Sequence, residues 1–237
     1  MTESQADVSV EGQTTLIAQR LDTIRQTIPA TVRLIAVTKQ MPLQTIRAAY
    51  AAGLRDFGEN RLQEAIAKQQ ELQDLPDITW HLIGHLQSNK AGKALEHFHW
   101  IHSVDSLKLA QRLDALAEGM PHSPSLLLQV KLRPDPGKFG WEVEELLQDL
   151  PLLDQCCHLK ILGLMTILPY GLSAEENFAA FCETRKLAEM IQQQGFQRIH
   201  MQQLSMGMSE DYLQAVAAGA TMIRLGRILF GDRPAKT

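Results

Sequence analysis

Apolar and polar positions fall into a regular alternation along most of the chain. Short runs rich in Val, Ile and Leu are each followed by a longer stretch with apolar residues at helical spacing. Before the alternation begins, Leu16, Ile17, Leu21 and Ile24 predict a helix over about Val10–Ile28, outside the repeat, and residues 1–9 are expected to be a disordered tail. The predicted strand–helix pairs are then 33–38 with 42–52, 54–58 with a helix from about 59, 78–84 with 90–96, and 100–104 with 106–118. They continue with 125–132 and 142–150, 161–168 and 174–194, 198–204 and 209–218, and finally 222–225 with a short segment at 227–230. Gly53, Gly119, Gly195 and Gly219 stand where left-handed helix ends favour glycine. Eight βα units without a linker or a break in composition indicate one domain over residues 1–237, an α/β (β/α)8 TIM barrel. A doubly wound open sheet is the competing architecture, because local pattern does not establish closure.

The length of 237 residues suits one barrel, and an apolar fraction of 45 % supplies its core. A net charge of −4 with no long basic run gives no electrostatic support for a nucleic-acid partner. No apolar stretch is long enough to span a bilayer, and the opening residues have neither the basic nor the apolar region of a secretory signal. Three cysteines, Cys156, Cys157 and Cys182, make a poor disulfide framework and point to a reducing cytoplasm.

In a barrel all strand-to-helix loops open on one face, and the polar and Gly-rich sequence of this chain concentrates there. The first strand, Leu34-Ile35-Ala36-Val37-Thr38, ends on Lys39. A lysine partly stripped of water at that position gains access to its neutral, nucleophilic form and can condense with an aldehyde. The seventh loop, Ser205-Met206-Gly207-Met208-Ser209, and the eighth, with Arg224, Gly226 and Arg227, occupy the places where barrels bind phosphate. Glu210 and Asp211 suit the helix that follows but would repel an anion on its axis. The bland reading of the seventh loop is a glycine turn with Ser209 as N-cap. An amine facing a phosphate cradle admits two ligands: a phosphorylated sugar held as a Schiff base, or pyridoxal 5′-phosphate, whose aldehyde and phosphate lie at opposite ends of a flat ring. His97, His99 and His102 are assigned to core and surface rather than to metal, as are His81 and His85.

The runs AVTK, FGENRLQEA, WHLIGHLQSNKA, SVDS, GLMT and SMGMSEDYLQAVAAGATMIRLGRILFG resemble the YggS/PROSC family of pyridoxal phosphate homeostasis proteins, over nearly the whole chain from about Val10. The segment LQVKLRPDPGKFGW looks most like cyanobacterial members. The resemblance implies the fold of the alanine racemase barrel domain without its second β domain. It implies pyridoxal 5′-phosphate in Schiff-base linkage to Lys39, phosphate contacts from Ser205, Gly207, Gly226 and Arg227, and Arg224 at the ring nitrogen. Asn60 would lie near the ring, bounded by Ile83 and Met165, with His81 a weaker candidate for the wall. Lys138 matches a second family lysine proposed to handle cofactor, while Arg227 departs from the small hydroxyl residue common at its place. The implied role is cofactor homeostasis and amino-acid/keto-acid balance by a monomer, with apoenzymes as recipients, without evident catalysis. An amino-acid racemase-like enzyme, a Schiff-base aldolase and a protein-interaction module are the alternatives.

Overall fold

The computed structural model describes residues 10–231, so the tail expected at residues 1–9 lies outside the described residues. The strands are β1 (Arg33–Val37), β2 (Asp56–Glu59), β3 (Thr79–Leu82), β4 (Trp100–Val104), β5 (Ser125–Lys131), β6 (Trp141–Glu142), β7 (Lys160–Met165), β8 (Ile199–Ser205) and β9 (Met222–Leu225). The helices are α1 (Val10–Arg25), α2 (Leu43–Ala51), α3 (Leu62–Glu71), α4 (Ala91–His97), α5 (Leu107–Ala117), α6 (Val143–Leu153), α7 (Ala174–Gln193), α8 (Tyr212–Ala217) and α9 (Arg227–Phe230). All strand pairings are parallel, and pairing of β4 with β5 closes eight of the strands into a barrel, which excludes the open sheet. The additional two-residue strand β6 is absent from the sequence reading; among the described residues it pairs with β5 alone, through Val130 with Trp141 and Lys131 with Glu142.

Strand alternation divides the core in two. Ile35, Leu127, Met165 and Met222 form a plug inside the barrel, flanked by Trp100, Leu162 and Ile167. The outward-facing strand residues, such as Ala36, Phe57, Leu126 and Ile223, pack beneath the helices. Each fully buried Leu, Ile or Met is worth about 2 kcal/mol of transfer free energy, so the plug alone is a substantial stabilising unit. Helix α1 joins the outer layer: Ile17, Leu21 and Ile24 are buried, and Arg20 donates to the Leu229 carbonyl at 3.0 Å, tying α1 to α9. Among the described residues no helix is long and apolar enough to cross a membrane, and all three cysteines are free thiols.

Candidate cofactor site

A cleft of about 370 Å³ opens at the C-terminal ends of the strands, the low end of the usual range for ligand pockets. Its lining includes Lys39, Asn60, Ile83, Arg224, Gly226 and Arg227. The amine of the first loop and the residues of the eighth loop therefore share one mouth.

Local structure explains how Lys39 arrives there. Beyond β1 the chain turns sharply, with Met41 N–H donating to the Thr38 carbonyl at 3.0 Å and Gln40 at φ 59°. A left-handed conformation at a non-glycine residue costs about 1 kcal/mol. It is held here by Glu64 Oε1, which accepts from Gln40 N–H at 2.5 Å. Behind the turn, Lys68 is buried and donates to the Thr38 carbonyl (2.8 Å), Glu59 Oε1 (2.8 Å) and Glu64 Oε1 (2.7 Å). Thr38 Oγ1 donates to the same Glu59 oxygen at 2.7 Å. Burial pushes the Glu59 carboxyl pKa up against the downward pull of Lys68, and its Oε2 has no partner among the described residues. This network anchors the outer side of the turn that carries half-buried Lys39.

Asn60 reaches the cleft because residue 84 is glycine: a Cβ there would lie 2.2 Å from the Asn60 carbonyl oxygen. On the opposite wall, Gly207 adopts φ 91°, and a Cβ on it would meet Ala215 Cβ at 2.6 Å, so only glycine lets the seventh loop fold onto α8. Asp211 Oδ1 accepts from Met208 N–H at 2.6 Å and fixes the same loop. The N-cap of α8 is Asp211 and not Ser209. Ser209 lines the cleft instead, and its Oγ accepts from Ile228 N–H at 3.4 Å, bridging the two phosphate-side loops. The repulsion expected from Glu210 is met by Arg227, whose guanidinium pairs with it at 2.5 Å on the exposed rim.

Arg224 is the floor. It is 4 % exposed, donates to Ser205 Oγ at 2.7 Å and to the Thr166 carbonyl at 2.8 Å, and burial draws its pKa down to about 10, still charged at neutral pH. Four residues of the expected set, and the weaker candidate His81, stand outside the lining. Met165 belongs to the apolar plug, and Gly207 is buried in the loop backbone. Ser205, expected to touch phosphate, is wholly buried with its hydroxyl turned to Arg224 and His102, because it is the last barrel-facing residue of β8 rather than the first loop residue. Lys138 lies behind the rim, bonded to the Leu168 carbonyl (2.5 Å) and Asp135 (3.0 Å), with its ammonium 5.6 Å from the Tyr170 ring centre. His81 is buried inside the barrel and does not reach the wall.

One polar lining residue, Asn177, was not anticipated. Asn177, in the first turn of α7, has a buried Oδ1 without a partner among the described residues, a polar group left for a ligand. Asp211 lies in the lining within electrostatic reach of Arg224, and burial raises its pKa. Only a polar residue at the start of a helix predicted to follow the sixth strand could have signalled Asn177. An amine, a buried cation on the floor, two glycine-bearing loops and an unsatisfied amide together fit a flat ligand carrying an aldehyde and a phosphate.

The chain belongs to the family of alanine racemase N-terminal domains, which matches residues 14–234. Within it the chain belongs to the family of pyridoxal phosphate homeostasis proteins. It is 55 % identical over 207 residues to the protein of that name from Synechocystis sp., covering 87 % of this chain and 94 % of the relative. The Pseudomonas aeruginosa protein of the same name is 44 % identical, over 86 % of each chain. The solved structure of PipY from Synechococcus elongatus PCC7942 with PLP bound superposes with a TM-score of 0.86 at 56 % identity, covering 91 % of this chain and 100 % of that one. Alanine racemase from Clostridium difficile 630 shares the fold, with a TM-score of 0.74 at 15 % identity over 94 % of this chain and 58 % of that chain.

Proposed function

We propose that the protein binds pyridoxal 5′-phosphate in this cleft through Lys39 and serves intracellular homeostasis of that cofactor. The observation that carries the reading is that Lys39, Arg224 and the phosphate-side residues Ser209, Gly226 and Arg227 line one cleft. The cofactor supplies an aldehyde that an amine takes in reversible covalent linkage. Lys39 Nζ is that amine. Arg224 faces the ring nitrogen, Asn60 and Ile83 bound the ring, and Met165 supports it from the plug. Ser209 and the backbone at Gly226 and Arg227 grip the phosphate, with Gly207 shaping their loop. Ser205 serves through Arg224. Lys138, behind the rim, is a secondary lysine that meets cofactor on its way in or out. PipY bound to PLP at 56 % identity supports the assignment.

Guanidinium only donates, so Arg224 disfavours a proton on the ring nitrogen and leaves the ring a weak electron sink. Of the three tyrosines, Tyr50 is tied to Asp77 on the outer layer and Tyr212 is buried near Thr27. Such a site holds and releases a reactive aldehyde rather than turning over amino acids. The open mouth suits delivery to apoenzymes by a cytoplasmic monomer. A racemase-like activity stands second, favoured by Tyr170, which lines the cleft while 83 % exposed. Measurable conversion of L- to D-alanine that Tyr170→Phe abolishes would establish it.

The test is reconstitution with pyridoxal phosphate, an absorbance spectrum, borohydride reduction and peptide mapping. A near-violet band with the reduced label on Lys39, both absent from Lys39→Ala, is the expected result. A wild-type protein without the band, or a label confined to Lys138, overturns the reading.

A further inference from the structure

A line of polar side chains crosses the barrel interior beneath the cleft. Asp56 Oδ1 lies 2.9 Å from His81 Nε2, His81 Nδ1 lies 3.0 Å from His102 Nε2, and His102 Nδ1 lies 2.8 Å from Ser205 Oγ. Arg224 reaches the same hydroxyl oxygen at 2.7 Å. The five side chains come from β2, β3, β4, β8 and β9. His81, His102 and Ser205 are wholly buried, so each depends on the next for its hydrogen bonds. Asp56 opens at the other end, in a second cleft of about 330 Å³ at the base of the barrel, where Arg33 Nε is 3.7 Å away.

Proton accounting along this line has one solution. A carboxylate only accepts, so His81 donates from Nε2. Burial lowers the pKa of both imidazoles and holds them neutral, although Asp56 pulls that of His81 the other way. His81 Nδ1 is then a lone pair, and His102 donates to it from Nε2. His102 Nδ1 in turn accepts, so the Ser205 hydroxyl donates to it. That leaves a Ser205 lone pair facing the guanidinium, which only donates. Every link points from Arg224 toward Asp56.

We propose that Ser205 and His102 are positioning residues for Arg224: with His81 and Asp56 they form a one-way donor chain that fixes the guanidinium in the orientation it offers to the ring nitrogen of bound cofactor. The inference rests on the assignment of Arg224 made above. Ser205 and the Thr166 carbonyl hold the two terminal nitrogens of the fork, so its plane cannot rotate without breaking a buried bond. The two imidazoles pass the constraint to the base of the barrel, where Asp56 supplies the terminal acceptor.

The experiment has a cofactor-free arm and a loaded arm. In cofactor-free protein with 15N-labelled histidine, two-bond proton–nitrogen correlations should show His81 and His102 as neutral Nε2–H tautomers. An Nδ1–H tautomer or an imidazolium at His102 overturns the proposal. In the loaded arm, Ser205→Ala and His102→Leu should weaken pyridoxal phosphate binding about tenfold, the worth of one hydrogen bond to a charged group, and move the absorbance maximum of the bound cofactor. His102→Gln, which keeps one donor and one acceptor, should restore affinity and spectrum toward wild type. Wild-type behaviour of Ser205→Ala, or His102→Gln as impaired as His102→Leu, sinks the chain while leaving the cofactor assignment intact. Failure of wild type itself to bind pyridoxal phosphate sinks both.

Discussion

Substitution of Lys68 by Met tests the physical account of the turn that presents Lys39. The Lys68 ammonium is the buried counter-charge of Glu59, whose side chain is fully enclosed and already has one oxygen without a partner among the described residues. Removing one member of a buried ion pair costs about 3–5 kcal/mol because the other charge is stranded. Met fills much of the Lys stem volume, and Glu64 is still partly wetted, so a loss of about 3 kcal/mol at pH 8 is expected. For a chain of this size that lowers Tm by about 6–12 °C. Its pH dependence follows from Glu59. Burial raises the folded-state pKa of that carboxyl above its unfolded value, and loss of Lys68 raises it further. Between the unfolded and folded pKa the native state holds a proton that the unfolded chain does not, so stability falls as pH rises through that window. The loss should therefore shrink as pH drops from 8 toward the unfolded-state carboxyl pKa, as Glu59 takes up its proton. Adding Glu59→Gln should recover part of the stability at pH 8 by removing the stranded charge. Urea melts followed by circular dichroism measure all three. A loss below about 1 kcal/mol at pH 8, a loss independent of pH, or a double variant no better than the single one would refute the reasoning.

Two further outcomes follow from local geometry. Gly207→Ala should cost about 2–3 kcal/mol in denaturant melts, since φ 91° and a 2.6 Å approach to Ala215 Cβ act together; a neutral result would mean the seventh loop relaxes freely. Burial pushes the Cys156 thiol up to about 11, so at pH 8 it should alkylate more slowly than exposed Cys157; mass spectrometry of partly modified protein showing Cys156 modified first contradicts this.

Most of the barrel was legible because its elements are written locally. The short closing helix at Arg227–Phe230 agrees to the residue. The second strand begins two residues later than its apolar pattern implies, at Asp56 instead of Leu54. Leu54 belongs to the end of α2: Gly53 N–H donates to the Tyr50 carbonyl at 2.9 Å and Leu54 N–H to that of Ala49 at 3.1 Å, a Schellman cap whose apolar residue mimics a strand start. Lys39, Arg224 and Gly226 could be placed at one mouth because strand ends and glycine turns reveal the C-terminal face. The chain through His81 and His102 could not. It depends on the relative register of β2, β3, β4, β8 and β9, which closure sets and no local pattern encodes. The same ignorance of register put Ser205 in the loop rather than on the inner wall.

The apolar plug of Ile35, Leu127, Met165 and Met222 fills the barrel interior, and its Ile35 is the cross-strand neighbour of Arg224, the floor of the cleft. A ligand held there would enter and leave by the mouth, so hydrolysis of a covalent link and departure of the freed molecule would share one door. The rim residues Tyr170 and Arg227 stand at that door. How long a captive stays would then be governed by them more than by anything deeper in the barrel.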